Sequence, residues 1–220
     1  MSNNISFNMS AAEIGDDTNV VLFTHASIQY RCVIDIETTG LPECGRLLSG
    51  DYISYRDLSR FESCRLVKLS WLILDDQLNE LERQSYIVKP EGFYIPLVST
   101  LKSHGITHGE AVERGVCFSD LAEKLEMALA KCSKLIGYNL DFGRNVLMSE
   151  LFRKNNPNDL LQKVEMMDEC CIMMCGKVQL GLFKSPSLQD LARTFLSEEE
   201  NDDTKLGLCA KIYKVFERQL

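Results

Sequence analysis

Three features of the sequence predict an α/β fold. Cys32, Val33, Ile34 and Ile36 make an apolar, β-branched run that suits a buried strand. Arg65 to Leu74 and Glu82 to Val88 are two further strand-like runs, separated by the turn residues Asp75 and Asp76, and read as a hairpin. Beyond them apolar residues recur at helical spacing in 118–131 and 142–153, on either side of a short strand at 134–137. Strands that give way to helices around a further strand call for a sheet with helices packed on it.

Taken in order, residues 1–18 are rich in Asn, Ser and Asp and read as a loose tail, leaving 19–220 as one domain. Val20 to Phe23 adds a short packing segment. The first strand ends at Thr38-Thr39-Gly40-Leu41-Pro42, where Gly and Pro mark a turn. Glu43 to Ser63 has no clean period and is expected to be a long irregular segment. There Arg46, Arg56 and Arg60 are candidates for phosphate contacts and Tyr52 and Tyr55 for base stacking, against the plainer reading of a solvated loop with ordinary ion pairs. Lys89-Pro90-Glu91-Gly92 closes the hairpin, and Ile95-Pro96 leads to His104-Gly105-Ile106-Thr107-His108. Those two histidines read as turn and cap residues rather than catalysts.

In 118–131, Leu121, Ala122, Leu125, Ala128 and Leu129 define one face of a helix, with Ser119 as the candidate N-cap. Val146, Leu147, Leu151 and Phe152 do the same in 142–153, which Asn155, Asn156 and Pro157 end. Val164 to Met174 reads as one buried segment. Ser187 is placed to cap a helix at 188–192, and a last helix from about Thr204 to Leu220 turns Leu208, Ile212, Val215 and Phe216 inward.

The composition, 45% hydrophobic and 25% charged over 220 residues, is that of an ordinary globular chain. The formal net charge of −8 rules out a general electrostatic pull toward nucleic acid, so any such contact must be local. Nine scattered cysteines, with only Cys170, Cys171 and Cys175 close together, lack zinc-site spacing and read as free thiols in a reducing compartment. No apolar run approaches the roughly 20 residues that span a bilayer, and the first residues lack the basic flank and apolar core of a secretory signal. The expectation is a cytoplasmic or nuclear protein, or one made there by a virus, with no membrane partner.

Asp35 and Glu37 interrupt the first strand two residues apart, so both emerge on one face. Paired, partly dehydrated carboxylates need a cation, and hard oxygen ligands suit Mg²⁺ or Mn²⁺. The segment Val33-Ile34-Asp35-Ile36-Glu37-Thr38-Thr39-Gly40-Leu41 resembles the first motif of the DEDDh exonucleases, the group of polymerase proofreading subunits and related viral and phage enzymes. The resemblance implies a ribonuclease H-like fold, a central mixed sheet flanked by helices. It also implies 3′–5′ hydrolysis of DNA or RNA ends by two Mg²⁺ or Mn²⁺ ions about 3.5–4 Å apart, with nucleic-acid 3′ ends as partner and a replication or repair protein as a second. It places Thr38, Thr39, Gly40, Leu41, Tyr138, Asn139 and Phe142 along the substrate.

The later motifs depart from this pattern. The second, His-Asn-x-x-Phe-Asp in the family, reads Tyr138-Asn139-Leu140-Asp141-Phe142-Gly143 here, so the ligand position is a glycine. Asp141 is the alternative ligand, although a two-residue shift turns a side chain by about 200° on a helix. The third motif carries a general-base histidine and a final Asp, yet no histidine follows His108. Asp203, or its neighbour Asp202, stands as the last ligand, and Glu198, Glu199 or Glu200 as a substitute base. An ungapped match of Ala210-Lys211-Ile212-Tyr213 to the family helix instead puts Lys205 at the ligand position, a cation in place of an anion. The chain therefore reads either as a metal-dependent 3′–5′ exonuclease with Asp35, Glu37, Asp203 and Asp141, or as a degenerate homologue whose groove binds nucleic acid or protein. A purely structural accessory subunit is a third class.

Overall fold

A computed structural model describes residues 29–43, 53–154, 159–197 and 204–218. The sequence expectations for residues 1–18, Val20 to Phe23, Arg46, Tyr52, Glu198 to Glu200, Asp202 and Asp203 lie outside them. Five strands form one mixed sheet: β1 (Tyr30–Thr38), β2 (Leu66–Leu74), β3 (Glu80–Ile87), β4 (Cys132–Gly137) and β5 (Asp168–Cys171). Their order is β3-β2-β1-β4-β5. β2 pairs antiparallel with both β1 and β3, while β4 pairs parallel with β1 and β5 parallel with β4. The helices are α1 (Leu97–Ser99), α2 (His108–Arg114), α3 (Phe118–Leu129), α4 (Leu140–Arg153), α5 (Asp159–Met166), α6 (Ile172–Gln179), α7 (Leu188–Phe195) and α8 (Lys205–Glu217). The predicted mixed sheet with flanking helices is thus present.

Alternation along β1 divides the core. Cys32 and Ile34 face Leu69, Trp71 and Ile73 of β2 and the buried sides of α3, α4 and α5. Val33 turns the other way, to Leu72, Leu74, Ile136 and the buried residues of α7 and α8. Leu208, Ile212 and Phe216 are buried as the last helical pattern predicts, each contributing about 1.5–3 kcal/mol toward holding α8 on the sheet. Val215 is only partly buried. The first face also contains a charged pair: Arg65 Nε and Nη2 donate to Glu150 Oε1 and Oε2 at 2.6 and 3.0 Å. Glu150 Oε1 accepts from the Leu66 backbone N–H as well, and the Arg65 guanidinium lies 4.4 Å from the Phe93 ring centroid.

Three local expectations are corrected. Val164 to Met174 is no single segment but the end of α5, all of β5 and the start of α6. At four half-exposed residues on the sheet edge, β5 is too short to leave a periodic trace. The N-cap of α3 is Cys117, not Ser119, because the helix begins two residues earlier to bury Phe118. Tyr55 is buried against Phe152 and so unavailable for stacking, and Arg56 and Arg60 are engaged with Tyr55 and Asp57. By contrast, the Ser187 hydroxyl caps α7 by accepting from the Asp190 N–H, as expected. No helix among the described residues is long and apolar enough to cross a membrane.

Candidate active site

The register of β1 puts Asp35 opposite Ser70 and Glu37 opposite Lys68. Both carboxylates project on the α8 side of the sheet, the face also carrying Val33 and Arg31, whose guanidinium donates to Tyr213 Oη of α8 at 3.1 Å. The expectation of one shared face is met. The turn that follows is built by its own side chains. Thr38 Oγ1 donates to the Gly40 carbonyl at 2.7 Å; Thr39 Oγ1 donates to the Ser63 carbonyl at 2.9 Å and accepts from the Arg65 N–H at 2.8 Å. A Cβ on Gly40 would lie 2.8 Å from the Ser63 carbonyl oxygen, so only glycine fits there. Leu41 is left at the rim, 74% exposed.

Lys205, the first residue of α8, meets the two acids. Its Nζ hydrogen-bonds to Glu37 Oε1 and lies 3.9 Å from Asp35 Oδ1. A cation in the first turn of a helix opposes the helix dipole, and α8 has no acidic residue of its own there; the compensating charges come from β1. Burial works against the Lys205 ammonium, but Asp35 and Glu37 outweigh it and hold its pKa above the ordinary value. Asp35 has the poorer arrangement. Burial is its largest influence and raises its pKa, and Lys205, Lys68 and the Ile36 N–H offset only part of that. Glu37 also accepts from Ser103 Oγ at 3.3 Å.

His104 stands beside this group. Its Nδ1 accepts from the Ile106 N–H at 3.1 Å, which places the neutral ring's proton on Nε2, and burial keeps its pKa below the ordinary value. His108 Nδ1 accepts from the Ile95 N–H, and its ring stacks on Tyr94. Both histidines therefore shape turns, as the sequence suggests. The contributions of Ser103 and Lys68 carry no signal in the sequence. Neither lies in a motif, and only the register of β2 reveals Lys68.

The second-motif residues lie beyond the end of β4. The Tyr138 hydroxyl donates to the Pro186 carbonyl at 2.8 Å. Asn139 precedes α4 in the left-handed region, at φ 53°, and makes no side-chain cap bond. Phe142 packs on the core cluster around Ile34. Gly143 faces Ile36, and a Cβ there would sit 3.6 Å from Ile36 Cδ1, an ordinary contact. Asp141 is in the first turn of α4, where its carbonyl accepts from Asn145 Nδ2.

This donor set does not fit a pair of divalent ions. Among the described residues, which leave out Asp202 and Asp203, two carboxylates are too few for two ions, and an ammonium lies between them. No group of three or more His, Cys, Asp or Glu side chains among the described residues is arranged to hold a metal.

No family model matches the chain, and no curated protein matches it in sequence. Solved structures do. Product-bound exonuclease I is 16% identical, with a TM-score of 0.63 over 86% of this chain and 43% of its own. Apo exonuclease I is also 16% identical, with a TM-score of 0.64 over 86% and 42%. E. coli exonuclease I in complex with a dA16 oligonucleotide is 18% identical, with a TM-score of 0.59 over 84% and 40%. The chain spans less than half the length of these structures, and the likeness is one of fold. It has the ribonuclease H-like fold of exonuclease I.

Proposed function

We propose that this chain is a catalytically silent relative of the DEDDh exonucleases, and that it uses the groove beside β1 to hold nucleic-acid 3′ ends without cutting them. The observation that carries the reading is Lys205 between Asp35 and Glu37, a resident cation where the family would use metal ions. The glycine at 143 removes a further ligand. Binding is supported by the fold shared with exonuclease I, including a complex of that protein with an oligonucleotide. It is supported too by exposed Leu41 on the rim and by a site whose acid charge is offset by Lys205 and Lys68, so that a phosphate meets less repulsion than the net charge suggests.

Two measurements on the purified chain test this. Single-stranded DNA and RNA carrying a 3′ label should bind in chelator, with affinity that falls as salt rises, and should stay intact when Mg²⁺ or Mn²⁺ is added. Release of labelled nucleotides that Asp35→Ala abolishes would overturn the reading in favour of the enzyme. Absence of binding to either strand would remove the nucleic-acid role and leave a protein partner or a structural role for the groove.

A further inference from the structure

Cys170 and Cys175 lie away from the groove and play no part in the proposed function. Cys171 is the N-cap of α6, which puts Cys170 at the residue before the cap and Cys175 on the fourth helical position. Those two positions meet in the hydrophobic staple that fixes how a chain enters a helix. In most proteins a pair of aliphatic side chains fills them; here two thiols do. Their sulfurs are 3.7 Å apart, in contact across the first turn. Both residues are partly exposed, whereas Cys32, Cys64, Cys132 and Cys209 are buried. The neighbouring Cys171 is differently engaged, its Sγ accepting from the Leu140 N–H at 3.4 Å.

We propose that Cys170 and Cys175 form a reversible intramolecular disulfide when the chain meets a low-molecular-weight disulfide. The sulfurs must close from 3.7 Å to about 2.05 Å. One thiolate, Cys175 at the helix surface, attacks the small disulfide, displaces one small thiol and becomes a mixed disulfide. The Cys170 sulfur, giving up its proton, then attacks the Cys175 sulfur and expels the second small thiol. The protein dithiol is oxidised, the small disulfide is reduced to two thiols, and atoms and electrons balance. Because the bond would close a loop of only a few residues, it adds little global stability by chain entropy. Its effect is local: it turns the staple into a covalent clamp between β5 and α6, beside the Gly137–Cys171 pairing that leads into Tyr138.

The test uses the full chain under native conditions with oxidised glutathione, followed by intact mass. The wild type should lose the mass of two hydrogens and regain it with dithiothreitol, and Cys171→Ser should behave the same way. Cys170→Ser and Cys175→Ser should not close, and the former should instead keep one glutathione adduct at Cys175. Should a serine variant fail to fold, alkylation of the oxidised wild type carries the same information, since Cys170 and Cys175 alone must be protected. Stable glutathione adducts on the wild type without ring closure would overturn the proposal. So would closure that survives either serine substitution.

Discussion

Replacing Lys205 by alanine tests the assignment of its ammonium as the cation of this site. At the 3.9 Å separation from Asp35, Coulomb attraction at an effective dielectric of 20 is about 4 kcal/mol. The lysine side chain is 51% exposed, so solvent screening cuts this sharply; exposed pairs are worth about 1 kcal/mol or less. The bond to the more buried Glu37, whose side chain is 13% exposed, brings the total to about 1–2 kcal/mol. For a chain of this size that is a fall in melting temperature of about 2–8 °C in chelator. The variant then has two carboxylates on one face with only the cross-strand Lys68 beside them, and Mn²⁺ should recover the loss. An ion present at a hundred times its dissociation constant contributes about 2.7 kcal/mol. Thermal melts of wild type and Lys205→Ala, each with chelator and with millimolar Mn²⁺, give the answer. Mn²⁺ should raise the variant and leave the wild type unmoved. An equal rise in both would show that a metal binds with the lysine in place, and the assignment of Lys205 as the resident cation would fail.

Three further outcomes are expected. Asp35→Asn should stabilise the fold near neutral pH, because burial raises the Asp35 pKa and its ionised form therefore costs stability in the folded state. That gain should shrink as pH falls through the raised pKa and Asp35 becomes protonated; denaturant midpoints across pH read it, and a constant gain would contradict the cause given. Glu150→Gln leaves the buried Arg65 guanidinium, with 5% of its side chain exposed, without its counter-charge, and should cost about 3–5 kcal/mol in urea unfolding; a loss below about 1 kcal/mol would mean that water reaches the pair. Gly143→Asp combined with Lys205→Asp adds two carboxylates where Ile36 leaves ordinary contact space at 143. Mn²⁺ binding by calorimetry should appear in the double variant and not in wild type, and its absence would show that position 143 does not reach the cleft.

Much of the sheet could be read from the sequence because β1 and β2 are buried on both faces and leave long apolar runs. The termini of β1, β2 and β4 fall within two residues of expectation. The failures share a cause. β5 and α6 are short, and α2 has only Ala111 buried, so none leaves a periodic stripe. At the site, strand alternation puts Asp35 and Glu37 on one face, while their reading as a site rests on the resemblance of Val33 to Leu41 to the first DEDDh motif. The lysine was visible only as an alignment alternative, since no local pattern says which residue of a distant helix will reach β1. Lys68 and Ser103 act through cross-strand register and loop packing, which a linear reading does not contain.

The position of β3 has a consequence for how copies of this protein behave toward each other. As one of the two edge strands, and the longer of them, it is a natural place for a second sheet to join. Its first half, Glu80-Leu81-Glu82-Arg83, alternates charge with a leucine that is 53% exposed. An incoming copy would have to strip hydrated carboxylates and a guanidinium to dock there. These charges thus guard the border of the sheet, and neutralising Glu80 and Glu82 together would invite edge-to-edge pairing of one molecule with the next.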